Sequence, residues 1–359
     1  METAEFDYNL PSELIAQYPT ERRGDSRLMV VNRAGGHFGF HPFLSLPTWL
    51  RRGDLLIFND SRVIPARLRA TKESTGAKIE LLLLEAVTPV EWWSMVRPGK
   101  RIRLGMKVRI LGRDGNPSRV VGSVLEKRDD GHIRLAFSGT KNLLEALPEI
   151  GEIPLPPYIQ RPKTGASDLD QDRYQTVYAR RDGSVAAPTA GLHFTTELLE
   201  TVGREGVEIA FVTLHVGHGT FAPVKADHVE GHLMHEEWYE IPTATAMAYE
   251  RAKAEGRRVL AIGTTSVRVL ETVYRANEGH LVAGVGRTRI FIHPPHVIRS
   301  IDGLLTNFHL PQSTLLMLVS AFAAPGQHPE GRDTILRAYQ EAIREKFRFF
   351  SYGDAMLLI

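Results

Sequence analysis

The chain has 359 residues, of which 43% are hydrophobic and 24% charged, with a formal net charge of +2. That is the composition of a globular protein, and the length favours two domains, because single cores stop growing at about 250–300 residues. It has no cysteine, which excludes a disulfide framework, a thiolate nucleophile, cysteine-ligated zinc and a cysteine-held iron–sulfur cluster. No apolar run approaches the ~20 residues of a membrane span, and the longest, 315–324, reads as a buried helix. The N-terminus carries acidic residues and no basic stretch ahead of an apolar one, so it is not read as a secretory signal, and a cytoplasmic protein without membrane attachment is expected.

In chain order, a short helix is expected over 11–17 and a strand over 54–58. From about Arg62 to Leu147 the chain reads as short strands with turn signals between them: 77–85, 107–111, 119–126 and 132–137. Near-regular spacing of this kind suggests a small antiparallel barrel. The proline-rich stretch Ile153-Pro-Leu-Pro-Pro-Tyr158 marks a boundary, since residues before proline leave the helical region. Beyond it the pattern alternates. Helices are expected over 195–204, 243–255, 266–277, 313–324 and 333–346, and strands over 207–216, 258–263, 289–292, 304–308 and 355–359. The expected fold class is therefore α/β: a mixed or parallel sheet flanked by helices, with the barrel inserted. Residues 1–61 with 150–359 would form a discontinuous α/β domain, and residues 62–149 the inserted domain.

Charge is unevenly spread. Between Arg97 and Arg134 there are eleven Lys or Arg residues and four acidic ones, a net of +7. Such a field attracts polyanions, although a solvated strand face accounts for it equally well.

Several segments look like chemistry. Val259-Leu-Ala-Ile-Gly263-Thr-Thr-Ser266-Val-Arg268 reads as strand, glycine turn and helix start. Free N–H groups there suit a carboxylate, phosphate or ribose, or simply a capped helix. Thr213-Leu-His215-Val-Gly217-His218-Gly219 ends a strand in a glycine-rich turn, and His228, His232 and His235-Glu236-Glu237 follow. These spacings permit a metal site, but acid–base or substrate-binding histidines fit better, because imidazole titrates near neutrality. Thr189 and His193 lie in a small-residue turn, and Thr306-Asn307-Phe308-His309 ends another strand. Ligands in open α/β sheets bind at the carboxyl ends of strands, where these segments would converge. Aromatic residues cluster at Tyr174-Gln175 to Tyr178 and from Phe347 to Tyr352; core packing and base stacking both use them.

Taken together, these segments resemble the S-adenosylmethionine:tRNA ribosyltransferase-isomerase family of queuosine biosynthesis. The resemblance runs from Phe6-Asp-Tyr-Asn-Leu-Pro11 to Tyr352-Gly-Asp-Ala-Met356. It includes Phe58-Asn-Asp60-Ser-Arg62, Leu155-Pro-Pro-Tyr158, Tyr174-Gln-Thr-Val-Tyr178, Ala186 to Phe194, His232-Leu-Met-His235-Glu-Glu237, Gly263-Thr-Thr-Ser266-Val-Arg268 and Thr306 to Met317. The chain departs from the family pattern at His218 and at His293-Pro-Pro-His296.

The resemblance implies transfer and isomerisation of the ribosyl moiety of S-adenosylmethionine onto 7-aminomethyl-7-deazaguanine in the tRNA anticodon. The products are epoxyqueuosine-tRNA, adenine and methionine. Within that resemblance His193, His215 and His235 are expected as acid–base residues, with Glu237 and Asp354 orienting them or binding the aminomethyl cation. Thr189, Gly263, Thr264, Thr265, Ser266 and Arg268 would hold the donor. Asp60, Arg62, Tyr174, Gln175, Asn307 and His309 would contact the base or tRNA, as would Arg101 and Arg103 on the basic barrel segment. S-adenosylmethionine is then a co-substrate, with no prosthetic group and no metal, and a monomer is expected. Two rivals are a His-cluster metallohydrolase and a non-enzymatic RNA-binding module. A methyltransferase is disfavoured, because its glycine-rich strand–helix signature is not found near the N-terminal strands.

Overall fold

The structure, a computed structural model, describes residues 1–34, 36–161, 168–217, 219, 224 and 226–359, without the side chain of Arg101. Among these residues the strands are β1 (Arg27–Val31), β2 (Phe38–Pro42), β3 (Leu55–Asn59), β4 (Ser61–Val63), β5 (Arg67–Lys72), β6 (Lys78–Thr88), β7 (Glu91–Arg97), β8 (Lys107–Leu111), β9 (Pro117–Lys127), β10 (Ile133–Ser138), β11 (Gly151–Glu152), β12 (Arg181–Ser184), β13 (Glu208–Leu214), β14 (Glu237–Ile241), β15 (Val259–Ile262), β16 (Gly284–Thr288), β17 (Gly303–Asn307) and β18 (Ala355–Leu358). The helices are α1 (Leu143–Ile150), α2 (Asp168–Arg173), α3 (Thr196–Arg204), α4 (Thr243–Ala254), α5 (Thr264–Ala276), α6 (Thr314–Ala323) and α7 (Glu330–Arg344).

The large sheet has the order β16-β14-β13-β3-β15-β17-β18-β1-β2. β13, β3, β15 and β17 run parallel, and β18 runs antiparallel to β17. β3, β15 and β17 are buried at every residue, as expected of parallel strands covered on both faces. Their side chains alternate between two cores. Leu55, Ile57, Val259, Ala261 and Leu304 pack with α4 to α7. Leu56, Phe58, Leu260, Ile262 and Leu305 pack with Phe43, Phe194 and α3 on the other face.

The second sheet closes into a six-stranded antiparallel barrel of β5, β6, β7, β10, β9 and β8, because β8 pairs back onto β5. β5, β8 and β10 alternate buried and partly exposed positions. Their inward side chains form a separate core with Leu143, Leu147 and Ile150 of α1. The α/β fold with an added antiparallel barrel is thus the class expected from the sequence.

Two expected elements differ. Residues 11–17 make only a single 3-10 turn, Ser12–Leu14. The backbone of Leu14 and Ala16 bonds instead to Phe349, so a long-range pairing replaces the helix. The strand expected over 289–292 is β16, at Gly284–Thr288. Its ladder with β14 ends where Thr288 opposes Glu237, and the Thr288 Oγ1 takes the Ile290 N–H at 3.1 Å. The apolar Ile292 packs into the core without a ladder. No helix among the described residues is long and apolar enough to cross a membrane.

Candidate active site

The parallel strands end at one edge of the sheet, and the polar segments gather there. β3 ends at Asn59 and leads to Asp60 and Ser61, β13 leads to His215, β15 to Gly263, and β17 ends at Asn307. β14, antiparallel to β13, begins at this edge with Glu237, and β18 and β1 begin just after Asp354 and Ser26. Gly263, at φ 87°, turns the chain directly from β15 into α5, a conformation that favours glycine. One turn into α5, Arg268 reaches Glu237.

Arg268 and Glu237 form an ion pair with both side chains only 5% exposed. The other oxygen of Glu237 accepts the Gly217 N–H at 2.9 Å. Only one guanidinium nitrogen is used this way. Nε and Nη2 of Arg268 are buried without a partner among the described residues, a costly state that an acceptor on a ligand would relieve. Thr265 Oγ1, Tyr178 Oη and Asn307 Oδ1 are further buried atoms without partners among the described residues.

His215 stands at the mouth of this group. Its ring stacks on Trp238 at 4.9 Å and 18°, and Nδ1 lies 3.0 Å from Ser61 Oγ. Burial, and secondarily Arg181, pull its pKa down to about 4. Gly183 makes room for it, since a Cβ there would lie 2.7 Å from Nε2. Asp60 accepts the Thr213 hydroxyl at 2.7 Å, and burial raises its carboxyl above the usual range.

His193 is held further along the edge. Nδ1 lies 2.8 Å from Ser26 Oγ, and Nε2 faces Asn307 Nδ2 at 3.2 Å. Burial, with Arg348 and Arg23, lowers its pKa to about 3. Asp354 accepts the backbone N–H groups of Arg27 and Arg348 at 2.8 and 2.7 Å, and so ties two chain segments together. His309, buried and lowered to about 3 by that burial, bonds Thr306 at 2.8 Å.

His215, His235 and Glu237 line one cleft of about 490 Å³ between sheet and barrel, a volume suited to a drug-sized ligand. His193 borders a separate recess of about 20 Å³. Thr264 and Thr265 are buried at the start of α5, and Ser266 Oγ donates to the Ile262 carbonyl. Thr189 opens the 3-10 turn Thr189–His193, whose Ala190 lies over Gly263. Tyr174 is fully buried against Tyr352, and Gln175 bonds both backbone groups of Val63. Arg62 is exposed and pairs with Asp182 at 3.7 Å. Arg103 is exposed on the barrel, away from the cleft lining. The Arg101 side chain and His218 lie outside the described residues. Sequence reasoning missed Ser26, Ser61, Trp238 and the barrel wall of the cleft, formed by Trp93, Arg128 and His132; the Trp92-Trp93 pair was the available signal. Among the described residues no three His, Asp or Glu side chains converge as a metal site would require.

A polar site at the carboxyl edge of a mixed sheet, facing an added barrel across a cleft, defines an α/β enzyme. Residues 3–358 match the family model described as queuosine biosynthesis protein. A curated relative from Desulforamulus reducens, named S-adenosylmethionine:tRNA ribosyltransferase-isomerase, is 49% identical over the whole of both chains. A crystal structure of S-adenosylmethionine tRNA ribosyltransferase from Thermotoga maritima is 37% identical, with a TM-score of 0.55, and is covered over 99% of this chain and 100% of that one. The chain belongs to the queuosine biosynthesis family of S-adenosylmethionine:tRNA ribosyltransferase-isomerases.

Proposed function

We propose that the chain transfers and isomerises the ribosyl group of S-adenosylmethionine onto 7-aminomethyl-7-deazaguanine in the tRNA anticodon, giving epoxyqueuosine-tRNA, adenine and methionine. The observation that carries this reading is the full-length, 49% identity to a relative of that name. The site adds physical support. The sulfonium of the donor acidifies the adjacent ribose carbon, so the reaction needs a neutral base nearby and no protein nucleophile.

His215 meets that need. With a pKa of about 4 it is neutral at physiological pH. In the tautomer that donates Nδ1–H to Ser61 Oγ, Nε2 carries the basic lone pair. His235, exposed in the same cleft, is the proton donor to departing adenine. His193, with both ring nitrogens engaged, positions Asn307, and Asp354 fixes the strand starts around it. The spare donors of Arg268 hold the donor's carboxylate or ribose hydroxyls, with Thr189 and Gly263 to Ser266 shaping the pocket. The exposed Arg62 contacts the tRNA beside the buried Asp60, Tyr174, Gln175 and His309 support the site from within, and the basic barrel face with Arg101 and Arg103 meets the phosphate backbone. Residues 1–61 and 150–359 form the catalytic domain and 62–149 the inserted one; the separate barrel core supports that division. Mass spectrometry of nucleosides and small molecules after incubation with both substrates tests the proposal. Epoxyqueuosine with equimolar adenine is expected, and unchanged tRNA from folded protein would overturn it.

A further inference from the structure

The barrel strand β7 carries two adjacent tryptophans that point opposite ways, as the two-residue period of a strand dictates. Trp92 is 3% exposed and belongs to the barrel core. Trp93 faces outward into the cleft, and the Arg128 guanidinium lies over its ring, 3.6 Å from the centroid. On the sheet side of the same cleft stands the second stack, His215 on Trp238. The cleft continues past Trp93 and Arg128 into a groove of about 350 Å³ that also reaches Arg287.

An outward tryptophan under a cation, opposite a second aromatic stack, is an arrangement for holding a flat π system. Unpaired bases of RNA loops are bound by such stacking on aromatic and arginine planes. We infer that Trp93, capped by Arg128, is the platform on which the unpaired acceptor base of a tRNA loop stacks when it enters the cleft. This rests on the reading of the chain as a tRNA-modifying transferase. It locates the base between barrel and sheet, beside His215 and the Arg268–Glu237 pair, while the basic face elsewhere on the barrel meets the backbone. The Trp93 ring then sets which base is accepted by area and planarity, and Arg128, already against one face of the ring, braces the platform while the base takes the other face.

The test reads binding without turnover. Fluorescence anisotropy is measured for the full chain with two 17-nucleotide anticodon stem-loop RNAs, one with guanine at the acceptor position and one abasic there. Wild type is expected to prefer the guanine loop by about tenfold, the scale of one base–aromatic stack. Trp93→Ala should abolish that preference and leave abasic-loop affinity unchanged, while Trp93→Phe should keep part of it. The Phe variant guards against a folding defect, and a matching melting temperature is required of both. Equal wild-type affinity for the two loops, or a preference that survives Trp93→Ala, would overturn the inference. Failure of the donor reaction with the base preference intact would instead overturn the assigned chemistry.

Discussion

Replacing Glu237 by alanine should destabilise the protein sharply, and the structure sets the scale. Both members of the Arg268–Glu237 pair are 5% exposed, so solvent cannot compensate the guanidinium left behind. Breaking one partner out of a buried pair costs about 3–5 kcal/mol. The Gly217 N–H, which donates to the same carboxylate, loses its acceptor, which adds about 1 kcal/mol. Among the described residues two nitrogens of Arg268 already lack a partner, and the substitution takes the partner of the third. For a chain of 359 residues the unfolding entropy is about 0.75 kcal/mol per kelvin, so a total loss of about 4–6 kcal/mol corresponds to roughly 5–8 °C in Tm. Differential scanning calorimetry measures it. The double variant Glu237→Met with Arg268→Met should recover most of the loss, because apolar residues of similar volume replace a buried pair at little cost. A Tm change below 1 °C for Glu237→Ala, or no recovery in the double variant, would refute the reasoning.

Other substitutions test separate parts of the account. His215→Gln should lower kcat by about 10²–10⁴-fold; in wild type the acid limb of kcat/KM should fall as pH drops through about 4, because protonation there removes the base. His193 is depressed to about 3 in the fold from an ordinary value near 6.5. The unfolded chain therefore binds the extra proton first, and stability present above about pH 6.5 is lost toward pH 3 at up to about 1.4 kcal/mol per unit; a His193→Asn variant should show a shallower acid fall in chemical denaturation. Gly191→Ala places a Cβ 1.8 Å from Tyr178 Oη, so it should cost about 1–3 kcal/mol, with partial relief in Gly191→Ala with Tyr178→Phe, read by Tm. Charge reversal at Arg101 and Arg103 should weaken tRNA binding and reduce the slope of log affinity against log salt by about 1–2; an unchanged slope places the backbone contacts elsewhere.

The large sheet was legible because its parallel strands are continuous apolar runs between glycine turns, as at Val259–Ile262 before Gly263. The barrel strand Lys107–Leu111 was equally plain, since basic and apolar residues alternate along it. β2 escaped notice because Phe38 to His41 are all half-buried, ahead of an exposed Pro42, and show no alternation. β5 was hidden because its outward positions carry Arg and Thr between modest apolar residues. The convergence of His215, Gly263 and Asn307 on one edge followed from the rule that strand ends hold ligands. The division of that edge did not, because it depends on which side chains already hold one another. Ser26 and Asn307 engage both nitrogens of His193, and Ser26 lies 167 residues from His193 in sequence. Trp93 faces the cleft only because the barrel closes where it does, which no local pattern records.

The central claim is tested most directly with S-adenosylmethionine labelled with carbon-13 at all five ribose carbons, incubated with the protein and tRNA carrying the aminomethyl-deazaguanine. All five labelled carbons should appear in one nucleoside of the tRNA, with unlabelled adenine and methionine released in equal amount. Transfer of a single methyl carbon with release of S-adenosylhomocysteine, or no label in tRNA, would contradict the account.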